Sequence, residues 1–401
     1  ILPNVYEYDV KNHLSELKKL AQTANVNIFG EITQRVQKIN PAFYIGKGKA
    51  QQVIDQAKLL GVNLIIFDDE LSPAQIKNYH NLTKKIKVID RSSLILDIFK
   101  KHAKTREAKT QVDLALCQYL LPRLTRQWTH LERQMGGVGT RAGMGETQIE
   151  VDRRLIREKI SKLKLDLIKI ESERKTQSQN RASEFRVALV GYTNAGKSTL
   201  FNSLTGNNVY VKDQLFATLD TTVRKLKLNK KHQVLISDTV GFIRKLPHNL
   251  VASFKSTLKE LLEANHILIV LDASSKIIDE HLETISQVLD DLGANEIPRS
   301  YIFNKIDLVD NENDIKKIKS NYRNAILTSA LHHLRLDDVK NHIIEKIEND
   351  FNVFDLNISY EQGKILSQIQ NQAEILDTDY GDKSIKLKIR GKEESIKRLF
   401  K

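Results

Sequence analysis

The chain has 401 residues, enough for two to four domains that each bury a core. A single cysteine, Cys117, excludes a disulfide framework and fits a reducing compartment, and no run is apolar enough to read as a membrane span or a signal peptide. With 63 Lys and Arg against 50 Asp and Glu, the net charge of +13 favours a polyanionic partner such as nucleic acid.

Residues 1–105 alternate helical and strand patterns. Asp9 is placed to cap a helix whose apolar face is Leu14, Leu17, Ala21 and Ala24. Val26 to Ile32 reads as extended. Tyr44-Ile45-Gly46-Lys47-Gly48-Lys49 turns into a helix reaching Leu60, and Val62 to Phe67 is a buried strand ending at Asp68-Asp69-Glu70. Ser72-Pro73 opens the next helix, Ile86 to Ile89 is a strand, and Ser92 starts a helix to His102. The expected unit is a small α/β layer with a parallel sheet. Its Gly46-Lys47-Gly48-Lys49 turn lacks full P-loop spacing, so RNA contact or plain turn chemistry is preferred there to a second nucleotide site.

Over residues 106–183 the period changes. Leu114, Cys117, Leu121, Leu124, Trp128 and Leu131 recur three and four apart, as do Ile156, Ile160, Leu163, Leu167 and Ile170. Two such seams across a loop make an antiparallel helical hairpin, kinked in its first arm by Pro122. Arg153 to Arg181 holds ten Lys/Arg against four Asp/Glu, which suits an RNA backbone. The tip, Met135 to Glu146, carries five of the 17 glycines and both methionines, so it builds no core and reads as a binding loop. Arg141 in the tip and Arg153, Arg154 and Arg157 on the second arm are the RNA-contact candidates. Glu171 to Ser183 reads as a hinge.

Residues 184–350 hold the nucleotide chemistry. Gly191-Tyr192-Thr193-Asn194-Ala195-Gly196-Lys197-Ser198-Thr199 follows the apolar run from Phe185 to Val190 and precedes a helical pattern. Strand, G-x-x-x-x-G-K-S, helix is the context of a P-loop: backbone N–H groups curl around phosphate, Lys197 reaches the β/γ-phosphates and Ser198 can ligate Mg²⁺. Asp238-Thr239-Val240-Gly241 ends a second apolar run, with Asp238 placed for the Mg²⁺ shell through water and the Gly241 N–H for the γ-phosphate. Asn304-Lys305-Ile306-Asp307 ends a third. The Asp307 carboxylate can accept from the N1–H and N2–H₂ edge of guanine, a donor pair adenine lacks. Asn304 would tie this loop to the P-loop, and the Lys305 stem would cover the base. Thr328-Ser329-Ala330-Leu331 closes the set, offering a backbone N–H to guanine O6. Between the first two motifs, Phe216-Ala217-Thr218-Leu219-Asp220-Thr221-Thr222 is expected to be a mobile loop supplying one threonine to the metal, with Thr218, Thr221 and Thr222 equivalent on spacing. Phe242 stands where Ras-like GTPases carry the glutamine that orients water, so slow intrinsic hydrolysis and a partner-supplied group are expected.

Residues 351–401 read as a small α+β cap. It comprises a strand from Val353 to Ile358, a helix from Tyr360 to Gln370, strands from Ala373 to Leu376 and Ile385 to Ile389 across a turn at Tyr380-Gly381-Asp382, and a last helix to Phe400. No internal repeat or metal-ligand spacing stands out, and His332-His333 reads as a surface pair.

Gly136-Gly137-Val138-Gly139-Thr140-Arg141-Ala142-Gly143-Met144-Gly145-Glu146-Thr147-Gln148-Ile149-Glu150-Val151-Asp152-Arg153-Arg154 resembles the signature loop of the HflX GTPases. The family's Phe-Ala-Thr-Leu-Asp, Asp-Thr-Val-Gly-Phe, Asn-Lys-Ile-Asp and Ser-Ala-Leu motifs also stand here, as does Tyr44-Ile45-Gly46-Lys47-Gly48-Lys49. The resemblance runs from Val5 to Ile347 and selects Thr218 as the metal-ligating threonine of switch I. The chain departs from the family in Arg141-Ala142-Gly143-Met144-Gly145-Glu146, where Arg-Gly-Pro-Gly-Glu is common, and in Thr221, where proline is common. It implies a P-loop GTPase domain preceded by a small α/β domain with a long helical hairpin. It also implies a Mg²⁺-dependent GTPase, with GTP as substrate and GDP as product, whose catalytic residues are Lys197, Thr218 and Gly241. It implies further a monomeric, cytoplasmic stress-response factor, a share of it peripheral to the membrane, that binds the large (50S) ribosomal subunit and its rRNA and splits stalled or idle 70S ribosomes. An assembly or rRNA-remodelling factor that splits nothing, or a signalling switch with a protein partner, are the alternatives to that reading.

Overall fold

The computed structural model describes residues 7–124, 148–178, 184–206, 214–229, 231–247, 250 and 259–349, and in the C-terminal part 352–362, 365–366, 368–369, 373–381, 384–391 and 396. Trp128, Leu131, Arg141 and the glycine-rich tip lie outside the described residues.

The N-terminal part runs α1 (Glu7–Thr23), α2 (Lys47–Leu59), β1 (Leu64–Phe67), α3 (Pro73–Leu82), β2 (Lys87–Asp90) and α4 (Arg91–His102). Asp9 is not a cap: it lies inside α1, where an acidic side chain in an early turn suits the helix dipole. Ser72 does cap α3, in a reciprocal box with Gln75. The cap of α4 is Asp90, which accepts from the Ser93 N–H at 2.8 Å, so the helix starts ahead of Ser92. β1 and β2 pair in parallel from Leu64↔Lys87 to Phe67↔Asp90. Val26 to Ile32, expected to be extended, has no regular secondary structure and joins no strand ladder among the described residues, because an alternating pattern forms a strand only where a neighbour is there to pair with it.

Helix α5 (Arg106–Leu120) is capped by Thr105 and passes into a 3₁₀ turn, Leu121–Arg123, at Pro122. It packs against α6 (Gln148–Ser178), with Cys117, Leu124 and Ile156 buried between the arms and Leu121, Ile160 and Leu163 beside them. The expected hinge over Glu171 to Ser183 is corrected for its first eight residues: α6 continues through Ser178, since that stretch contains no Gly or Pro and a solvated helix needs no apolar stripe.

The nucleotide part is a six-stranded sheet in the order β4-β5-β3-β6-β7-β8, with β3 (Phe185–Gly191), β4 (Thr222–Lys227), β5 (Gln233–Asp238), β6 (His266–Asp272), β7 (Arg299–Asn304) and β8 (Ile326–Leu327). All neighbours are parallel except β4 against β5. Both faces are covered, so the central strands β3 and β6 are apolar over Val187–Val190 and Ile267–Leu271. Phe185, Val187 and Leu189 of β3 face α7 (Lys197–Thr205), whereas Ala188 and Val190 face the opposite layer. α8 (Ile278–Leu292), α9 (Glu312–Asn321) and α10 (Leu336–Asn349) complete the layers. One apolar cluster is continuous from the N-terminal part into this sheet, joining Phe99, Val112 and Tyr119 to Phe216, Leu219, Phe242 and Ile267.

The C-terminal cap is a three-stranded antiparallel sheet, β10-β11-β9, with β9 (Asn352–Ser359), β10 (Glu374–Tyr380) and β11 (Ser384–Gly391). Tyr360–Gln362 is a 3₁₀ turn, and β10 reaches four residues beyond Leu376 before the turn.

Candidate nucleotide site

The P-loop joins β3 to α7 and is shaped by two left-handed residues, Asn194 and Gly196 (φ 61° and 88°). A Cβ on Gly196 would collide with the Asn304 amide, so glycine serves both the turn and the close approach. Asn304 is what approaches: its Nδ2 donates to the Ala195 carbonyl at 3.1 Å and the Gly196 carbonyl at 3.4 Å, and its Oδ1 accepts from the Ala330 N–H at 2.9 Å. One side chain therefore ties three of the four motifs together.

The base side follows from that tie. Lys305 is left-handed (φ 62°) and its Nζ pairs with Asp272 at 2.8 Å, which fixes its stem beside the pocket. The Ile306 N–H donates to the Thr328 carbonyl at 3.3 Å, and Asp307 projects from the 3₁₀ turn that follows. Ser329 and Leu334 bridge back to back, so Ala330 and Leu331 sit on a closed loop whose His332 Nε2 lies 3.6 Å from the Asp307 carboxylate.

On the phosphate side, Lys197 is buried and its Nζ donates to the carbonyls of Gly191 (3.2 Å) and Tyr192 (2.9 Å). Burial lowers its pKa to about 8, with the Asp238 charge opposing the shift. Asp238 is fully buried; desolvation pushes its carboxyl up while Lys197 and the hydroxyls of Ser198 and Thr218 hold it down. The Ser198 hydroxyl donates to Asp238 Oδ2 at 2.6 Å and meets Thr218 Oγ1 at 2.7 Å. Asp238 Oδ1 is a buried acceptor with no hydrogen-bond partner. Of the three threonines equivalent on spacing, Thr218 is the one at this oxygen cluster, while Thr222 pairs with Asp238 through the β4–β5 ladder. A Cβ on Gly241 would lie 3.0 Å from Lys197 Nζ, which puts this backbone against the same corner.

Two motif residues face away from the nucleotide. The Thr239 hydroxyl donates to the Leu189 carbonyl at 2.7 Å, inside the sheet. Tyr192 stacks on His281 with ring centroids 3.9 Å apart, and its hydroxyl donates to Glu16 of α1 and accepts from the Arg244 N–H at 3.0 Å. Thr199 stays at the start of α7, where its carbonyl accepts from Ser203. Sequence reasoning missed this Tyr192 contact, and it missed what Phe242 does. The Phe242 ring is buried, its N–H donates to the Gly191 carbonyl at 3.0 Å, and its carbonyl accepts from the Thr193 N–H at 2.7 Å. The chain after Asp238 is thus knitted to the P-loop by backbone.

Switch I residues are equally engaged. Phe216 is left-handed, buried, and set edge-on against Phe99 at 4.5 Å, and its carbonyl is 2.8 Å from His102 Nδ1. Ala217 is half-buried and Leu219 buried. The Asp220 carboxylate accepts from the backbone N–H groups of Lys104 and Thr105 and from the Thr105 hydroxyl. Arg153, Arg154 and Arg157 are exposed in a row on α6, together with Glu150, Glu158 and Ser161.

A phosphate loop backed by a buried lysine, an oxygen cluster at its serine, and an Asn–Asp loop for the base edge on a mostly parallel sheet define a P-loop GTPase. Family models and curated relatives agree. Residues 11–100 match the family model described as GTP-binding GTPase N-terminal, 102–181 its middle region, and 186–305 the 50S ribosome-binding GTPase model. The curated GTPase HflX of Caldanaerobacter subterraneus subsp. tengcongensis is 43% identical, covering 94% of this chain and 86% of its own length. The Escherichia coli K12 GTPase HflX is 40% identical, covering 94% and 89%. A GTP-binding protein from the archaeon Sulfolobus solfataricus, solved in complex with GDP, is 25% identical with a TM-score of 0.44, covering 84% of this chain and 96% of that one. The chain belongs to the HflX family of GTPases, and it binds and hydrolyses GTP.

Proposed function

We propose that this GTPase acts on the ribosome: it binds the large subunit and its rRNA and, with GTP bound, splits stalled or idle 70S particles into subunits. Four parts share the work, 1–105, the hairpin 106–183, the GTPase 184–350 and the cap 351–401. The protein works as a cytoplasmic monomer, and among the described residues no helix is long and apolar enough to cross a membrane.

The observation that carries this reading is a full guanine-nucleotide site in which the water-orienting position is taken by buried Phe242. A phenyl ring in the core cannot orient water, so the missing group comes from a partner. The exposed arginines of α6 offer a polyanionic partner a basic surface to meet, and the match of residues 186–305 to a model described as 50S ribosome-binding points to the same particle.

Ser198, Thr218 and Asp238 would hold Mg²⁺, Asp238 through water. Their donors are all oxygen, as a hard cation requires, and the unpartnered Asp238 Oδ1 is an acceptor awaiting a ligand. When bound, that ion would neutralise charge on the nucleotide's phosphates. The remaining work belongs to the chain. Lys197 pairs with the same phosphates, the Gly241 N–H faces the γ-phosphate, Asn304 keeps base loop and P-loop in register, and Asp307 reads the guanine edge.

The test is GTP turnover with purified 50S subunits, 30S subunits, 70S ribosomes or buffer, alongside light scattering of 70S. Strong activation by 50S and 70S but not 30S, with a GTP-dependent fall in scattering, is expected. Activation without that fall would move the role to subunit assembly, and no activation by any particle would end the ribosomal reading.

A further inference from the structure

We propose that Asp220 is a positioning residue for Thr218: it fastens switch I to the root of the hairpin, the short segment between α4 and α5. This deepens the reading of the GTPase site above and rests on Thr218 being its metal ligand.

The geometry is a clip with two ends. At one end Phe216 packs edge-on against Phe99 and its carbonyl meets His102 Nδ1 at 2.8 Å. At the other end the Asp220 carboxylate gathers three donors, the N–H groups of Lys104 (3.1 Å) and Thr105 (3.4 Å) and the Thr105 hydroxyl. Both ends grip residues 99–105, and Thr218 stands midway between them, meeting Ser198 at 2.7 Å. Five residues of extended chain span only about 13 Å between end Cα atoms. A clip that short, held at both ends, has little slack for Thr218 to move by itself.

The Thr105 hydroxyl has two partners. It donates to Asp220 and also accepts from the Ala108 N–H at 3.1 Å, capping α5. The carboxylate therefore sits at the positive end of a 15-residue helix, where a negative charge is favoured. α5 is the first arm of the hairpin, so a displacement of that arm reaches Asp220 through its own cap. On the other side, the Thr218 hydroxyl meets Ser198 and hydrogen-bonds the Asp238 carboxylate, and the β4 ladder begins four residues on, at Thr222. The position of Thr218 is thus set jointly by the P-loop and by the hairpin root.

The experiment uses the full chain with Asp220→Ala, Thr105→Val and, as the conservative control, Thr105→Ser. Hydrogen exchange of residues 214–222 is measured without nucleotide, and the Mg²⁺ concentration for half-maximal GTP turnover is measured separately. Asp220→Ala and Thr105→Val should each speed exchange at 214–222 by about tenfold or more, leaving residues 300–307 unchanged. Both should raise the Mg²⁺ requirement by about three- to tenfold, and Thr105→Ser should behave as the unmodified chain. Unaltered exchange in Asp220→Ala would overturn the clip. Faster exchange with an unaltered Mg²⁺ requirement would reduce Asp220 to a structural contact and overturn the positioning role. Thr218→Ala separates the two layers. If it leaves the Mg²⁺ requirement alone, the ligand reading fails and the positioning role falls with it, whereas the exchange result still reports the clip by itself.

Discussion

The two sides of the nucleotide site are built differently. The base side is closed within the GTPase part: Asn304 reaches Ala195, Gly196 and Ala330, and Lys305 leans on Asp272, all carried by one sheet. The switch side is closed from outside, by Phe99, His102, Lys104 and Thr105 on switch I and by Glu16 on the Tyr192 hydroxyl. Beyond Asp238-Thr239-Val240-Gly241, Lys245 reaches Asp68 at 3.0 Å, and Asp68 in turn holds the buried Arg91 at 2.7 Å. The loops proposed to read guanine are therefore tied within one sheet, whereas those proposed to answer to the γ-phosphate share their anchors with another layer of the molecule. An enzyme that must hold its nucleotide firmly while coupling hydrolysis to a partner gains from that division.

The largest expected effect tests the corner common to both sides. Lys197→Ala removes a buried cation at the phosphate corner and should cut GTP turnover by about a thousandfold, measured as phosphate release with 50S subunits present. Next, Asn304→Ala severs three hydrogen bonds, two to the P-loop and one to Ala330, and none to switch I. Guanine-nucleotide affinity should fall by about a hundredfold in equilibrium binding, while hydrogen exchange at residues 214–222 stays unaltered. Equal loosening of both sides in that variant would erase the distinction drawn here.

A pH experiment sharpens the switch side. Burial lowers the pKa of His281, stacked on Tyr192, to about 4. A histidine whose folded pKa lies below its ordinary 6.5 contributes its stability in full above pH 6.5, and that contribution is lost as pH falls toward 4. The loss should approach about 3 kcal/mol, shared in kind by His266, which burial also lowers to about 4. Denaturant unfolding between pH 7 and pH 4.5 should show His281→Phe with a shallower decline than the unmodified chain. The smallest effect belongs to Tyr192→Phe. Losing the hydroxyl that links Glu16 to the Arg244 N–H should cost about 1–2 kcal/mol in the same assay and leave GDP affinity unchanged within about twofold.

Much of the site was legible because its residues do their work at strand ends close in sequence to a glycine or an apolar run. Lys197, Ser198, Asp238, Asn304 and Asp307 follow β3, β5 and β7, and their spacing already states which phosphate or base atom each could reach. The helical period of residues 156–170 was legible too, although its continuation through Ser178 was hidden by polarity, since a solvated helix carries no apolar stripe to read. What stayed hidden depends on long sequence separation. Nothing near Tyr192 announces Glu16, 176 positions away, and nothing in Asp220 announces Thr105, 115 positions away.

The sequence by itself determined a guanine-nucleotide site and a basic hairpin, because both follow from short-range rules: loop geometry around phosphate, helical period and charge composition. Tertiary structure alone decided where the Phe242 ring goes and that switch I is gripped by the hairpin root. Those outcomes are set by packing between elements far apart in the chain, where burial and hydrogen-bond partners come from the fold and leave no local pattern.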